Sequence, residues 1–272
     1  MTSPPFPAFA RLDGLGFPAF SPGSVWLVGA GPGAPGLLTL LGYHGLSQAD
    51  VVVHDALVSE TLLDLANPGA ERLYAGKRGG KPSAKQADIS ERLIELARQG
   101  KRVLRLKGGD PFMFGRGGEE AGALFRAGVP FRIVPGISAG LGGLAYAGIP
   151  VTHRDTNHAV LFLTGHDETG DVSALDWPAV AKAAPVLVMF MAVKHLPVIV
   201  ARLLAAGRDP ADRVAIVSNA ALPGQSVVET RLDQAANLSD IATPAIVVVG
   251  PASAHRAVLD WYADDLRSNA IG

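Results

Sequence analysis

Short apolar runs recur along this chain, separated by longer stretches in which apolar residues return at every third or fourth position. The runs predict strands at residues 25–28, 51–54, 103–106, 131–134, 160–164, 186–191, 214–217 and 245–249. Between them, Ile89, Leu93, Leu96 and Ala97 share one helical face, Glu91, Arg92, Glu95 and Arg98 lie off it, and Gly100 stops the helix. Residues 197–206 read as another helix, closed by Gly207. Strands alternating with helices predict an α/β fold with largely parallel sheets. Residues 134–143, VPGISAGLGG, are too flexible for the interior of an element, which predicts a junction in mid-chain. The expected organisation is a flexible N-terminal arm (1–24), an N-terminal α/β domain (25–134), a junction (135–143), a C-terminal α/β domain (144–263) and a tail (264–272). A ligand cleft is expected between the two α/β domains.

Composition narrows the function classes. The 272 residues are 48% hydrophobic, enough for a real core, and the net charge of -1 lacks the basic excess of a nucleic-acid protein. A neutral total still permits a local basic pocket for an acidic small molecule. The absence of cysteine removes disulfides, thiolate metal sites and cysteine nucleophiles. Five prolines in the first 24 residues, with no basic start and no apolar core, lead to the expectation that they are not a signal peptide. Residues 133–152 are uncharged but hold five glycines and two prolines, so no membrane span is expected. The expectation is a soluble, cytoplasmic protein. None of the seven histidines pairs with carboxylates at metal-ligand spacing, so no catalytic metal is expected. Met189 and Met191, in VLVMFM, read most simply as core.

The chemistry concentrates in residues 107–120, KGGDPFMFGRGGEE, which follow a buried-strand pattern. A loop dense in glycine, acid and arginine at a strand end is where open α/β sheets bind ligands. A second glycine-rich turn, GAGPGAPG at 29–36, follows VWLV. Gly29, Gly31 and Ala34 fit a relaxed dinucleotide fingerprint, and Asp55 stands where a ribose-binding acid would. Pro32 and Pro35 oppose that reading, because they remove backbone donors a pyrophosphate would need. Asp55 also fits a helix cap or a strand-end turn, and Lys77 and Arg78 a solvated basic turn. Arg105 and Lys107 bracket Leu106 and so face the same side of a strand.

Taken in order, VGAGPG, DALVS, AGKRGG, RLKGGDPFMFGRGGEE, VPGIS, AYAGIPVTHR and PAIVVVG resemble the uroporphyrinogen-III C-methyltransferases among the S-adenosylmethionine-dependent tetrapyrrole methylases. The resemblance runs from about Val25 to Trp261. It implies two α/β domains, S-adenosylmethionine in the cleft between them with S-adenosylhomocysteine as product, and a homodimer. It also implies methylation of uroporphyrinogen III at C-2 and C-7 to give precorrin-2. By motif position, the cofactor would be held by Pro32, Gly108, Gly109, Asp110, Met113, Ser138, Ala139, Met191, Ala220 and Ala245. Asp55, Lys77 and Arg116 would be catalytic, and Arg116, Glu119 and Arg154 would contact the substrate. The chain departs from the pattern at Ala34, where an aspartate is usual, at Ala56, where arginine is common, and at Ser218 before Asn219. Three other readings compete: a methylase of a later precorrin on the same fold, a nicotinamide-binding oxidoreductase, and a non-catalytic module that holds a tetrapyrrole.

Within that resemblance the chemistry assigns roles. Methyl transfer to a pyrrole carbon leaves an iminium-like ring that must shed a proton. An ionised Asp55 can stabilise that cation and accept the proton. Arg116 is the poorer base, since a guanidinium stays protonated. Its planar fork suits a substrate carboxylate.

Overall fold

The computed structural model describes residues 15–75, 86–167 and 170–262. The tail, residues 1–14 of the arm, and Lys77 and Arg78 lie outside the described residues. The first half of the chain is built on β1 (Val25–Gly29), β2 (Val51–His54), β3 (Glu71–Tyr74), β4 (Val103–Lys107) and β5 (Phe131–Val134). They form one sheet in the order β3-β2-β4-β1-β5, with every pairing parallel. The connecting helices are α1 (Leu40–Gln48), α2 (Glu60–Leu63), α3 (Gln86–Arg98) and α4 (Gly117–Arg126). Thr39 caps α1 by accepting the Gly42 N–H at 3.0 Å.

Alternation along β1 explains why the sheet is covered on both faces. Trp26 and Val28 point into a core with Leu46, Leu104 and Leu106. Val25 and Leu27 point into a second core with Leu93 and Leu96 of α3 and Leu124 of α4. The described part of the expected arm is not loose. Phe20 is buried and stacks on Trp26 with ring centroids 4.6 Å apart, because that apolar ring would otherwise stand in water.

A π-helical turn (Ala139–Gly143) and α5 (Leu144–Tyr146) lead into the second half. Its elements are β6 (Val160–Thr164), α6 (Trp177–Ala183), β7 (Val186–Phe190), α7 (Leu196–Ala205), β8 (Arg213–Ser218), β9 (Ser226–Arg231), α8 (Leu232–Ala235), β10 (Ala245–Val249) and α9 (Arg256–Leu259). The second sheet runs β6-β7-β10-β8-β9. Only β6 and β7 pair in parallel; β10 is antiparallel to β7 and β8, and β8 to β9. Largely parallel pairing therefore holds for the first sheet and not for the second. A short connection between β8 and β9 allows antiparallel return without a crossover helix.

Two strands beyond the expected set, β3 (ERLY) and β9 (SVVETR), are edges. Their charged, half-exposed residues suit a sheet edge and conceal the strand in an apolar-run reading. The run at 186–191 ends one residue early, because Met191 turns into a left-handed conformation (φ 53°).

Candidate functional site

The parallel register sets the ends of three strands level: Gly29 pairs with Lys107, and His54 with Leu106. The loops leaving those ends, the π-helical turn and the end of the second sheet enclose a cleft of about 670 Å³.

Backbone contacts shape its base. Gly31 and Gly109 exchange hydrogen bonds, with N–H to O=C distances of 3.2 and 2.8 Å. A side chain on Gly29 or Gly136 would collide with the backbone crossing there, so three chain segments meet at van der Waals distance. Asp110 fastens this crossing: one carboxylate oxygen accepts the Phe112 N–H at 2.8 Å, the other the Gly136 N–H at 2.9 Å. The Gly31 N–H is spent on Gly109 and the Ala30 N–H on Lys107, so neither donor is left for a phosphate.

The floor is ionic, with Arg105, Lys107 and Glu120 buried. Arg105 Nε and Lys107 Nζ donate to the same oxygen, Oε1 of Glu120, at 3.2 and 3.0 Å. Arg105 also donates to the carbonyls of Val53 and Leu106 at 3.3 and 3.2 Å, and its Nη2 stands 3.8 Å from Asp55 Oδ2. Asp55 Oδ1 accepts the Leu57 N–H at 3.0 Å, which closes the turn after β2. Burial holds the Lys107 ammonium below the ordinary lysine range, and the charge of Arg105 adds to this, while Glu120 pulls the other way.

Five non-glycine residues with positive φ gather at this cleft. Phe114 (53°), Arg116 (58°) and Met191 (53°) line it, and Asn219 (49°) and Ala221 (60°) flank the lining residue Ala220. Such conformations cost on the order of 1–3 kcal/mol each and cluster at functional sites. Phe114 meets Phe190 across the cleft with centroids 5.0 Å apart, which ties the two halves together.

The structure sorts the sequence-derived site residues. All ten positions expected to hold the cofactor line the cleft: Pro32, Gly108, Gly109, Asp110, Met113, Ser138, Ala139, Met191, Ala220 and Ala245. Asp55 and Arg116 line it as well. Met191 is 43% exposed there and is not a core residue, unlike Met189 beside it. Glu119 stands outside the lining and takes the Arg116 fork at 2.8 and 2.7 Å. That pairing holds the Glu119 carboxyl below its usual range. Arg154 is exposed in the turn before β6 and is not among the lining residues. Ala34 is buried behind the Pro32 turn, where it starts a 3-10 turn (Pro35–Leu37) without a side-chain cap.

Glu120 was missed, although the sequence held a signal. Gly117, Glu120, Ala121 and Leu124 are the buried face of α4, so Glu120 is an acid inside an apolar stripe facing a strand that carries Arg105 and Lys107. His166 and Lys194, which line the cleft from the second half, carried no local pattern that marked them.

Residues 24–236 match the tetrapyrrole (corrin/porphyrin) methylases. The chain belongs to this family. Among tetrapyrrole methylases it is 63% identical over 252 residues to a uroporphyrinogen-III C-methyltransferase of Sinorhizobium sp, covering 90% of this chain and 89% of that one. It is 45% identical to a siroheme synthase of Zymomonas mobilis, covering 92% of this chain but 54% of the relative, about half its length. The uroporphyrin-III C-methyl transferase of Thermus thermophilus, solved with S-adenyl homocysteine, superposes with a TM-score of 0.76 at 40% identity, over 85% of this chain and 99% of that one. Membership of this family sets aside the nicotinamide-binding reading. Among the described residues no helix is long and apolar enough to cross a membrane.

Proposed function

We propose that this chain is an S-adenosylmethionine-dependent C-methyltransferase that methylates uroporphyrinogen III at C-2 and then C-7, giving precorrin-2. The observation that carries the reading is the convergence of all ten expected cofactor positions, drawn from both halves of the chain, on one cleft. The residues fit the group: the walls are largely apolar, the base offers carbonyls and glycine backbone, and the Ala30 and Gly31 N–H groups are already spent on Lys107 and Gly109. Bound there, S-adenosylmethionine supplies an electrophilic sulfonium methyl.

The protein's part is alignment, exclusion of water and proton handling. Pro32, Met113 and Met191 wall the donor side, and the Phe114–Phe190 contact keeps that wall dry. Alignment of this kind supplies roughly 7–11 kcal/mol of the barrier. Arg116 turns its fork from Glu119 to a substrate carboxylate, a like-for-like exchange of partners. Asp55 accepts the proton that the methylated ring releases, and Lys77 assists the acid–base step. The domains divide at 25–134, 135–143 and 144–263, and the working unit is a cytoplasmic homodimer.

Incubation with uroporphyrinogen III and labelled S-adenosylmethionine tests the reading. Two methyls per tetrapyrrole are expected. One methyl, or transfer only to a later precorrin, overturns the substrate assignment.

A further inference from the structure

We infer that Glu120 is a positioning residue for proton transfer: by holding Arg105 and Lys107 at the floor of the cleft, it sets the charge that Asp55 faces. The inference deepens the proposed function and rests on Asp55 as the base. Its ground is geometric. Glu120 is fully buried, its Oε1 is shared by two cations at 3.2 and 3.0 Å, and one of those cations, Arg105, reaches to 3.8 Å from Asp55.

Arg105 is almost wholly buried and held by two carbonyls, so it cannot swing to follow Asp55. Its field at Asp55 is fixed, and the neighbouring charges decide how strong that field is. Lys107 adds to it and Glu120 subtracts from it. Among the described residues, the titratable or charged groups around this cluster include His54 on β2, whose Nδ1 lies 3.3 Å from the Asp55 carbonyl, Tyr74 on β3, whose ring packs on His54, and Arg116 and Glu119 at the start of α4. Arg116 and Glu119 pair at 2.7 Å without substrate; when Arg116 passes to a substrate carboxylate it stays paired, and the half-exposed Glu119 is screened by water. In a dry site a buried charge acts at much longer range.

Chemically, the methyl leaves sulfur for a ring carbon, and the ring then passes one proton to the Asp55 carboxylate. A carboxylate facing uncompensated cations is a weaker acceptor. Glu120 offsets one of the two positive charges at the floor, so the Asp55 carboxylate faces a weaker cationic field when the proton arrives.

The test is the pH profile of single-turnover methyl transfer from labelled S-adenosylmethionine to uroporphyrinogen III. Glu120→Gln is expected to move the acidic limb down by about one pH unit, and Lys107→Met to move it up by a similar amount. The double variant should lie between them, near the parent. Because the two single shifts have opposite sign, a general loss of stability cannot imitate the pattern. If either single variant fails to fold, the other and the double still decide the sign. Profiles that coincide with the parent, with only the melting temperature lowered, overturn the inference. Asp55→Asn separates the two levels. A limb that survives this change removes Asp55 as base, whereas a limb lost here but unmoved by Glu120→Gln removes the role of Glu120 alone.

Discussion

The two ends of the β2–β4 strand pair carry the same chemistry in opposite arrangements. At the start, Asp50 and Arg102 form a closed clamp, with guanidinium donors at 2.7 and 3.1 Å and the Arg102 backbone N–H at 2.8 Å. At the far end, Asp55 and Arg105 stand 3.8 Å apart, and Arg105 gives its closer contacts to Glu120 and two carbonyls. The first pair is saturated and partly wet, so it joins two strands and does nothing else. The second is buried on the arginine side and open on the carboxylate side, where the cleft begins. An ion pair joins structure when its partners exhaust each other, and becomes available for chemistry when a third charge takes up the cation.

The contrast breaks most sharply at Glu120. Glu120→Ala strands two buried cations, and urea unfolding should show a loss of about 3–5 kcal/mol. Asp55→Asn leaves its fold-holding neighbours in place; both ligands should still bind, measured by titration calorimetry, while single-turnover methyl transfer falls on the order of 100-fold or more. Arg116→Lys keeps the charge but loses the fork, and turnover should fall about 10- to 150-fold with KM raised, consistent with one charge-assisted bond at about 1.5–3 kcal/mol. Near-parent kinetics would remove the bidentate role.

Asp50→Asn is the smallest effect, about 1 kcal/mol of stability at neutral pH. Its pH dependence has a definite sign. The hydrogen bonds from Arg102 are the largest cause holding the Asp50 carboxyl below the ordinary aspartate range, so its contribution is complete above that range. The contribution fades as pH falls through the lower folded value. Parent and Asp50→Asn stabilities should therefore converge in strong acid. A gap that persists there would mean the clamp works by shape rather than charge.

Much of this was legible in the chain because buried parallel strands must be apolar throughout, and the loops that leave them must bend. The runs at 51–54 and 103–106 and the glycines at 29, 31, 108 and 109 follow from those two demands. What escaped was set by distance along the chain. β3 and β9 are strands only because a neighbour offers hydrogen bonds, and Met191 leaves the core only because its backbone turns. Arg154 lies in an exposed turn outside the cleft lining, so its expected substrate contact rests on the motif alone. Glu120 gains its partners only when α4 is laid on β4, which brings it to Arg105 and Lys107.

The crossing at Gly29, Gly109 and Gly136 has a mechanical corollary. The chain departs from the first sheet already anchored by Asp110 and wedged between two other strands' ends. Any hinge that opens the cleft must then lie beyond Gly136, in the short tract before the π-helical turn. Opening would carry Ser138 and Ala139 away with the far half while Pro32, Asp55 and Gly109 stay behind.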